Sequence, residues 1–207
     1  MGVAEAVRRS PWESGLGGAA VVLLLALHLL PGHGGVDPVH GLLSDYQLGS
    51  RGVGVPYALA LLSACASTAL AGASMARRGL LPGWLAKALL AVWCLSLLGL
   101  TVFLKDPAGS HGTWYGEAHK IFTAVNFASL PALCALLCWR FRRWPGYGRA
   151  VAPLAALHLA CALPFAAAFL PDHIGIPGTA LGLIERGVVA VDAVLIVTIA
   201  TRRNPYA

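Results

Sequence analysis

The sequence predicts an all-α fold, a polytopic membrane bundle of six transmembrane helices with both termini in the cytoplasm. Three observations carry this. Apolar residues make up 57% of the 207 residues and charged residues only 12%, with a mean hydropathy of +0.71. A soluble domain carries about 25% charged residues, so most of this chain's outer surface has to face lipid. Six apolar runs follow one another, separated by Gly/Pro-rich breaks. The basic residues gather in every second break, as the positive-inside rule requires.

Spanning the hydrocarbon takes about 20 mostly apolar residues. The first run has its apolar centre at 16–30, so the span covers about 12–30. It follows Arg8 and Arg9 as a signal peptide would, but it continues into PGHGG rather than a small-x-small cleavage site. It therefore reads as a retained first helix. The remaining helices are expected at about 53–75, 85–104, 119–139, 150–170 and 178–200, giving one integral membrane domain over 1–207. The breaks LPGW, DPAGSHG, WPGYG and PDHIGIP are turn chemistry between them.

Arg8, Arg9, Arg77, Arg78, Arg140, Arg142, Arg143, Arg149, Arg202 and Arg203 all fall on one side of this arrangement. Arg51 and Lys105 fall on the other, with Lys120 at a helix end. That asymmetry puts the termini in the cytoplasm and the chain in the cytoplasmic membrane, crossing it several times. The net charge of +6 sits in these short clusters, so no nucleic-acid partner is expected. Cys65, Cys94, Cys134, Cys138 and Cys161 lie inside apolar runs rather than in loops. They read as small packing residues, not as a disulfide framework. Ser63, Ser67, Ala71 and Gly72 in the second helix form a small-residue stripe suited to close helix contact.

The inner loops are short and basic, so any chemistry is expected outside. The longest outer loop, 31–52, holds His33, Asp37, His40, Ser44 and Asp45. The second holds Asp106, His111 and Glu117, and the third Asp172 and His173. Ionisable groups inside a bilayer face the bundle interior and pair, and the sixth helix carries Glu185, Arg186 and Asp192. Glu185 and Asp192 are two turns apart and share a face. Arg186 is expected to find a carboxylate among Asp45, Asp106 and Asp192. That arrangement reads either as an ion pair locking the helix in place or as a headgroup or substrate site. In the fourth helix His119, Thr123 and Asn126 share one face, either as interhelical hydrogen bonding or as the lining of a cavity.

Six histidines in the outer half invite comparison with a metal site, but no HExxH or tight HxH spacing is present. The outer histidines read instead as loop residues in water, with His119 the hydrogen-bonded exception. A b-type haem would need two facing histidines at one depth, and nothing beyond the presence of His28, His119 and His158 supports one. No metal and no cofactor is expected.

The stretch DPVHGLLSDYQLG resembles the Ser-Asp-x-Gly signature of the bacterial membrane family known as domain of unknown function 998. Ser44 and Asp45 fit, with the glycine displaced to Gly49. VFLKDPAGSHGTWYGEAH resembles that family's Phe-x-x-Asp segment ending in Gly-x-x-His, through Phe103, Asp106 and His119. GLIERGVVAVDAVLI resembles its last helix through Gly182 and Arg186, with Glu185 where glutamine is common. The resemblance implies a six-helix bundle similar to eukaryotic lipid-associated proteins of the Frag1, DRAM and Sfk1 type, hence work at lipid headgroups. It singles out Ser44, Asp45, Asp106, His119 and Arg186, which are expected to converge at the outer mouth of the bundle.

The leading expectation is an outward-facing polar pocket that binds or handles a lipid or small amphiphile of the cell envelope. Arg186, Glu185, Asn126, Thr123 and Asp192 would line it, with Arg186 holding an anionic group. The alternative is an intramembrane enzyme of hydrolase or cyclase type. His119 would be its acid or base, Asp45 or Asp106 the orienting partner, and Ser44 a nucleophile. A proton-coupled transporter using Asp192 is a further alternative, although two-fold repeats and broken helices are not evident. Self-association and docking into a membrane complex are both open.

Overall fold

A computed structural model describes residues 11–29, 36–107, 109–167 and 180–201. These residues are all helical in their regular structure, with no strand among them. The α-helices are α1 (Pro11–Ala26), α2 (Arg51–Arg77), α3 (Gly83–Val102), α4 (Trp114–Arg140), α5 (Pro145–Ala167) and α6 (Leu181–Thr201). A short 3-10 helix, Leu43–Leu48, stands before α2. Three of them, α2, α3 and α4, are long and apolar enough to cross a membrane. Large apolar side chains stay exposed around the bundle, among them Leu25, Leu95, Ile121 and Val197, as lipid-facing residues do. The chain is accordingly a membrane protein.

Local chemistry explains where the helices begin. Pro11 and Pro145 open α1 and α5 at the position where the missing N–H costs nothing. Gly83, at φ +73°, starts α3 from a left-handed turn that a side chain would resist. Thr113 caps α4, its hydroxyl accepting from Gly116 N–H at 3.1 Å. That cap makes α4 begin at Trp114 rather than near 119, and the apolar pattern alone did not show it. Likewise α2 starts at Arg51, and the 3-10 helix was not anticipated at all. Prolines lie inside α2, α4 and α5, and the Phe127 carbonyl that Pro131 frees in α4 faces His158 Nε2 from α5 at 2.9 Å.

Each helix packs on the next, and α2 closes against α6. Where helices approach most closely the contact residue is glycine. A Cβ at Gly72 would strike the Leu90 side chain, and one at Gly99 would strike the Phe122 ring. A Cβ at Gly17 would stand only 3.0 Å from the Ser67 hydroxyl, so the expected small-residue stripe of α2 does serve packing. The five cysteines are free; the Cys65 and Cys94 thiols each donate to the other's backbone carbonyl, at 3.5 and 3.9 Å, with no bond between the sulfurs.

The core divides in two. Near the 78–82 and 141–144 turns, Leu90, Trp93, Leu130, Leu133, Leu137, Tyr147, Leu195 and Ile199 form the larger apolar cluster. At the opposite end Leu27, Leu43, Tyr46, Val53 and Tyr57 form a smaller one beneath the 3-10 helix. Exposed aromatic residues ring both ends: Trp84 and Trp139 at the first, Trp114 and Tyr115 at the second. Trp and Tyr at such heights mark the two membrane–water interfaces.

Candidate functional site

The polar residues of the second end are organised by one loop, 36–50, strapped across the start of α6. Leu183 N–H donates to Val39 O at 3.0 Å. Arg186 donates to Gly41 O at 2.8 Å, and Leu43 N–H donates to Glu185 Oε2 at 2.5 Å. The approach is possible because residue 182 is glycine: a Cβ there would collide with the Gly41 carbonyl. Asp45 then closes the loop on itself by accepting from Leu42 N–H at 2.6 Å. Its other oxygen holds Lys105 from the α3–α4 connection in a short ion pair, and Gln47 donates to Leu100 O at the end of α3.

The α3–α4 connection is tied down in the same way. Asp106 accepts from Thr113 N–H at 2.9 Å and from the Thr113 hydroxyl at 2.7 Å. These two bonds, the hydroxyl's first, hold the Asp106 carboxyl below its ordinary range. Gly116 leaves room for that carboxylate, which a Cβ would strike. His119, one turn further, is buried with Nδ1 2.8 Å from Phe103 O. Asp37 and His40 pair at 2.5 Å on the exposed part of the loop. The His40 side chain, with Val39 N–H second, keeps Asp37 below its ordinary value.

Between α4, α5 and these loops lies a cavity of about 750 Å³, within the range of small-molecule sites. Ser44, Lys105, Asp106, His119, Lys120 and Glu185 surround its mouth. Below them the walls are Ala124, Phe127, Ala128, Leu159, Ala162 and Leu163. From His119 to Ala128 the wall of α4 descends about 14 Å at 1.5 Å per residue. A second cavity, of about 630 Å³, lies between α1 and α6 with its floor on α2 and α3. Asn126 and Asp192 reach that one.

Several sequence-based expectations are corrected here. Among the described residues Arg186 meets no carboxylate. Its acceptors are His28 Nε2 at 2.9 Å, Gly41 O and Gly182 O, both at 2.8 Å, while Nη2 is buried with no partner among the described residues. It is also absent from the cavity wall. Of the five residues expected at one mouth, Ser44, Asp106 and His119 line it, and Asp45 touches it through Lys105. The orienting partner of His119 is a backbone carbonyl rather than Asp45 or Asp106. The stripe on α4 splits. Thr123 lines the first cavity and bonds His119 O at 2.9 Å, whereas Asn126 bonds Ser96 Oγ at 2.8 Å beside the second. Glu185 and Asp192 therefore serve different cavities despite their shared spacing. His28 is no loop residue in water, since it bridges Leu24 O and Arg186. His33, Asp172 and His173 lie outside the described residues.

The arrangement also contains a pair that sequence reasoning missed. His158 of α5, with no exposed surface, places Nδ1 2.6 Å from Asp192 Oδ1 and Nε2 2.9 Å from Phe127 O. Counting depth along two antiparallel helices would have found it. His158 comes nine residues after Arg149 and Asp192 nine before Thr201, which puts both at the same distance from one end of the bundle. Lys105 was likewise read only as a loop cation. Among the described residues no three of His, Cys, Asp and Glu gather as metal ligands would.

A family model described as a protein of unknown function, DUF998, matches residues 10–202. Neither the curated proteins nor the solved structures provide a match.

Proposed function

We propose that this chain, which belongs to the DUF998 family of proteins of unknown function, is a six-span protein of the cytoplasmic membrane that holds an amphiphile. On this reading both termini are cytoplasmic and the first cavity opens on the other side. The supporting observation is the cavity's own gradient. It has lysines, carboxylates, a histidine and a serine at the mouth, and an apolar wall descending from them. A headgroup at the mouth with one chain along α4 matches both surfaces at once. The orientation rests on the clustering of arginines beyond the 78–82 and 141–144 turns. The six spans rest on α1, α5 and α6, with their few charged residues, joining the three longer apolar helices.

The test is mass spectrometry of lipids retained by the detergent-purified protein, compared with Ala128→Trp, which fills the apolar end and leaves the mouth intact. Loss of a retained amphiphile in the variant supports the reading; identical retention in both proteins refutes it. Orientation is checked separately. Thiol labelling of Ser110→Cys by an impermeant reagent in intact cells, with Arg142→Cys protected, is the expected result.

One observation favours the catalytic reading as a second choice. Phe103 O accepts only, so His119 carries its proton on Nδ1 and, when neutral, offers the Nε2 lone pair as a base. Turnover of a retained amphiphile, abolished in His119→Gln while binding persists, would establish it.

A further inference from the structure

The headgroup that suits the first cavity is set by the hydrogen-bonding capacity its walls leave unused. The cations at the mouth are already matched. Lys105 pairs with Asp45, and Lys120 pairs with Glu117 at 2.7 Å. Asp106 is engaged twice by Thr113, and the Ser110 hydroxyl donates to Pro107 O at 2.7 Å. Arg186, the nearest guanidinium, is bonded to His28, Gly41 and Gly182 outside the wall.

Each lysine ammonium keeps N–H bonds to spare, and below them three further groups have unused capacity. Glu185 takes Leu43 N–H on Oε2, and among the described residues nothing bonds its Oε1. His119 has its Nδ1 hydrogen on Phe103 O, which leaves Nε2 an acceptor in the neutral ring. The Ser44 hydroxyl, also buried in this wall, has no partner among the described residues. Two of the three are acceptors and the third serves either way. A phosphate or carboxylate would add negative charge to a mouth where Lys105 and Lys120 are already paired with Asp45 and Glu117, and where two further carboxylates, Asp106 and Glu185, line the wall.

We infer that the cavity takes a single-chain amphiphile whose head donates hydrogen bonds, a hydroxyl or an ammonium, in preference to an anionic one. Glu185 and His119 would receive those bonds. This rests on the amphiphile-holding reading above and replaces the expectation that Arg186 grips an anion.

The test is displacement of a fluorescent acyl-chain probe from the full-length protein in neutral nanodiscs. Four competitors share one twelve-carbon chain: dodecylglycerol, dodecylamine, dodecyl phosphate and dodecanoate. The inference expects the first two to displace at concentrations about tenfold below the last two. A lower midpoint for the amine than for the glycerol ether would identify an ammonium head, and the reverse order a hydroxyl one. Equal or better displacement by the phosphate or the carboxylate overturns the inference and leaves amphiphile binding standing. Failure of all four, with probe binding unchanged in Ala128→Trp, removes both. Glu185→Gln sharpens the assignment. Its carbonyl oxygen still accepts from Leu43 N–H, so the loop stays tethered, while the other atom becomes a donor. The preference for donor heads should then fall about threefold to tenfold, the worth of one hydrogen bond. An unchanged preference in this variant would overturn the role given to Glu185.

Discussion

Replacing Asp192 with alanine removes the group that faces His158 Nδ1 at 2.6 Å. The other ring nitrogen faces Phe127 O, which only accepts. Nε2 therefore carries one proton, and a second lies between Nδ1 and the Asp192 carboxyl, whichever of the two holds it. The ring has no exposed surface, so losing the carboxylate leaves a buried, unpaired Nδ1 lone pair or an uncompensated imidazolium. Breaking a buried pair in this way costs about 3–5 kcal/mol. Asp192 also borders the second cavity, so water can enter beside the alanine, and the lower end, about 3 kcal/mol, is expected. For a chain of this length each kcal/mol moves the midpoint by about 2–4 °C, so the melting temperature should fall by about 6–12 °C. The assay is tryptophan fluorescence during thermal unfolding in a fixed detergent, on Asp192→Leu, His158→Leu and the double variant as well. The double variant should recover most of the loss, because an apolar pair of similar volume is often no less stable than a buried ionic one. If the two single effects simply add, with coupling below about 0.5 kcal/mol, His158 and Asp192 are not acting as a pair and the reasoning fails.

Other predictions follow from contacts nearby. Gly182→Ala should destabilise by about 1–3 kcal/mol through its clash with the Gly41 carbonyl. Gly187→Ala, in the same helix with nothing in its way, should stabilise by up to about 1 kcal/mol; thermal unfolding of the two, side by side, checks both signs. Thr113→Val should lose about 1 kcal/mol for the cap alone and Thr113→Ser much less, measured the same way. Because the Thr113 bonds depress the Asp106 carboxyl below its ordinary value of 3.8, their contribution is complete above that pH. It should fade only as the pH falls through the lower folded-state value. Trp114, beside this cap, is the fluorescence reporter, and in Thr113→Val that acid transition should shift upward toward 3.8.

The helices were legible because lipid demands long apolar runs, and Gly and Pro punctuate them. Their starts were less so. The α4 boundary depends on Thr113 and Asp106, polar residues that an apolar count passes over, and the 3-10 helix is held by a bond between residues 142 apart, the Leu43 backbone N–H donating to the Glu185 carboxylate. Which residues share the mouth was partly readable: Ser44, Asp106, His119 and Glu185 were all singled out. The error over Arg186 has a physical source. The sequence shows charges but not carbonyls, and a loop strapped over a glycine supplied Arg186 with backbone acceptors in place of a carboxylate. The same blindness to carbonyls hid Phe103 O as the partner of His119.

The division of the core has an electrical consequence. The buried ionisable groups, His119, His158, Glu185 and Asp192, all lie above the leucine-rich cluster of Leu130, Leu133, Leu137, Leu195 and Ile199, whose members have no exposed surface. That cluster is an insulator plugging one half of the bundle. On the proposed orientation the membrane voltage would drop mainly across it, and the first cavity, in the other half, would share the potential of the outer solution. Ligand exchange at the first cavity should then be insensitive to membrane potential, and a single polar residue in place of Leu133 should be enough to make the bundle leak ions.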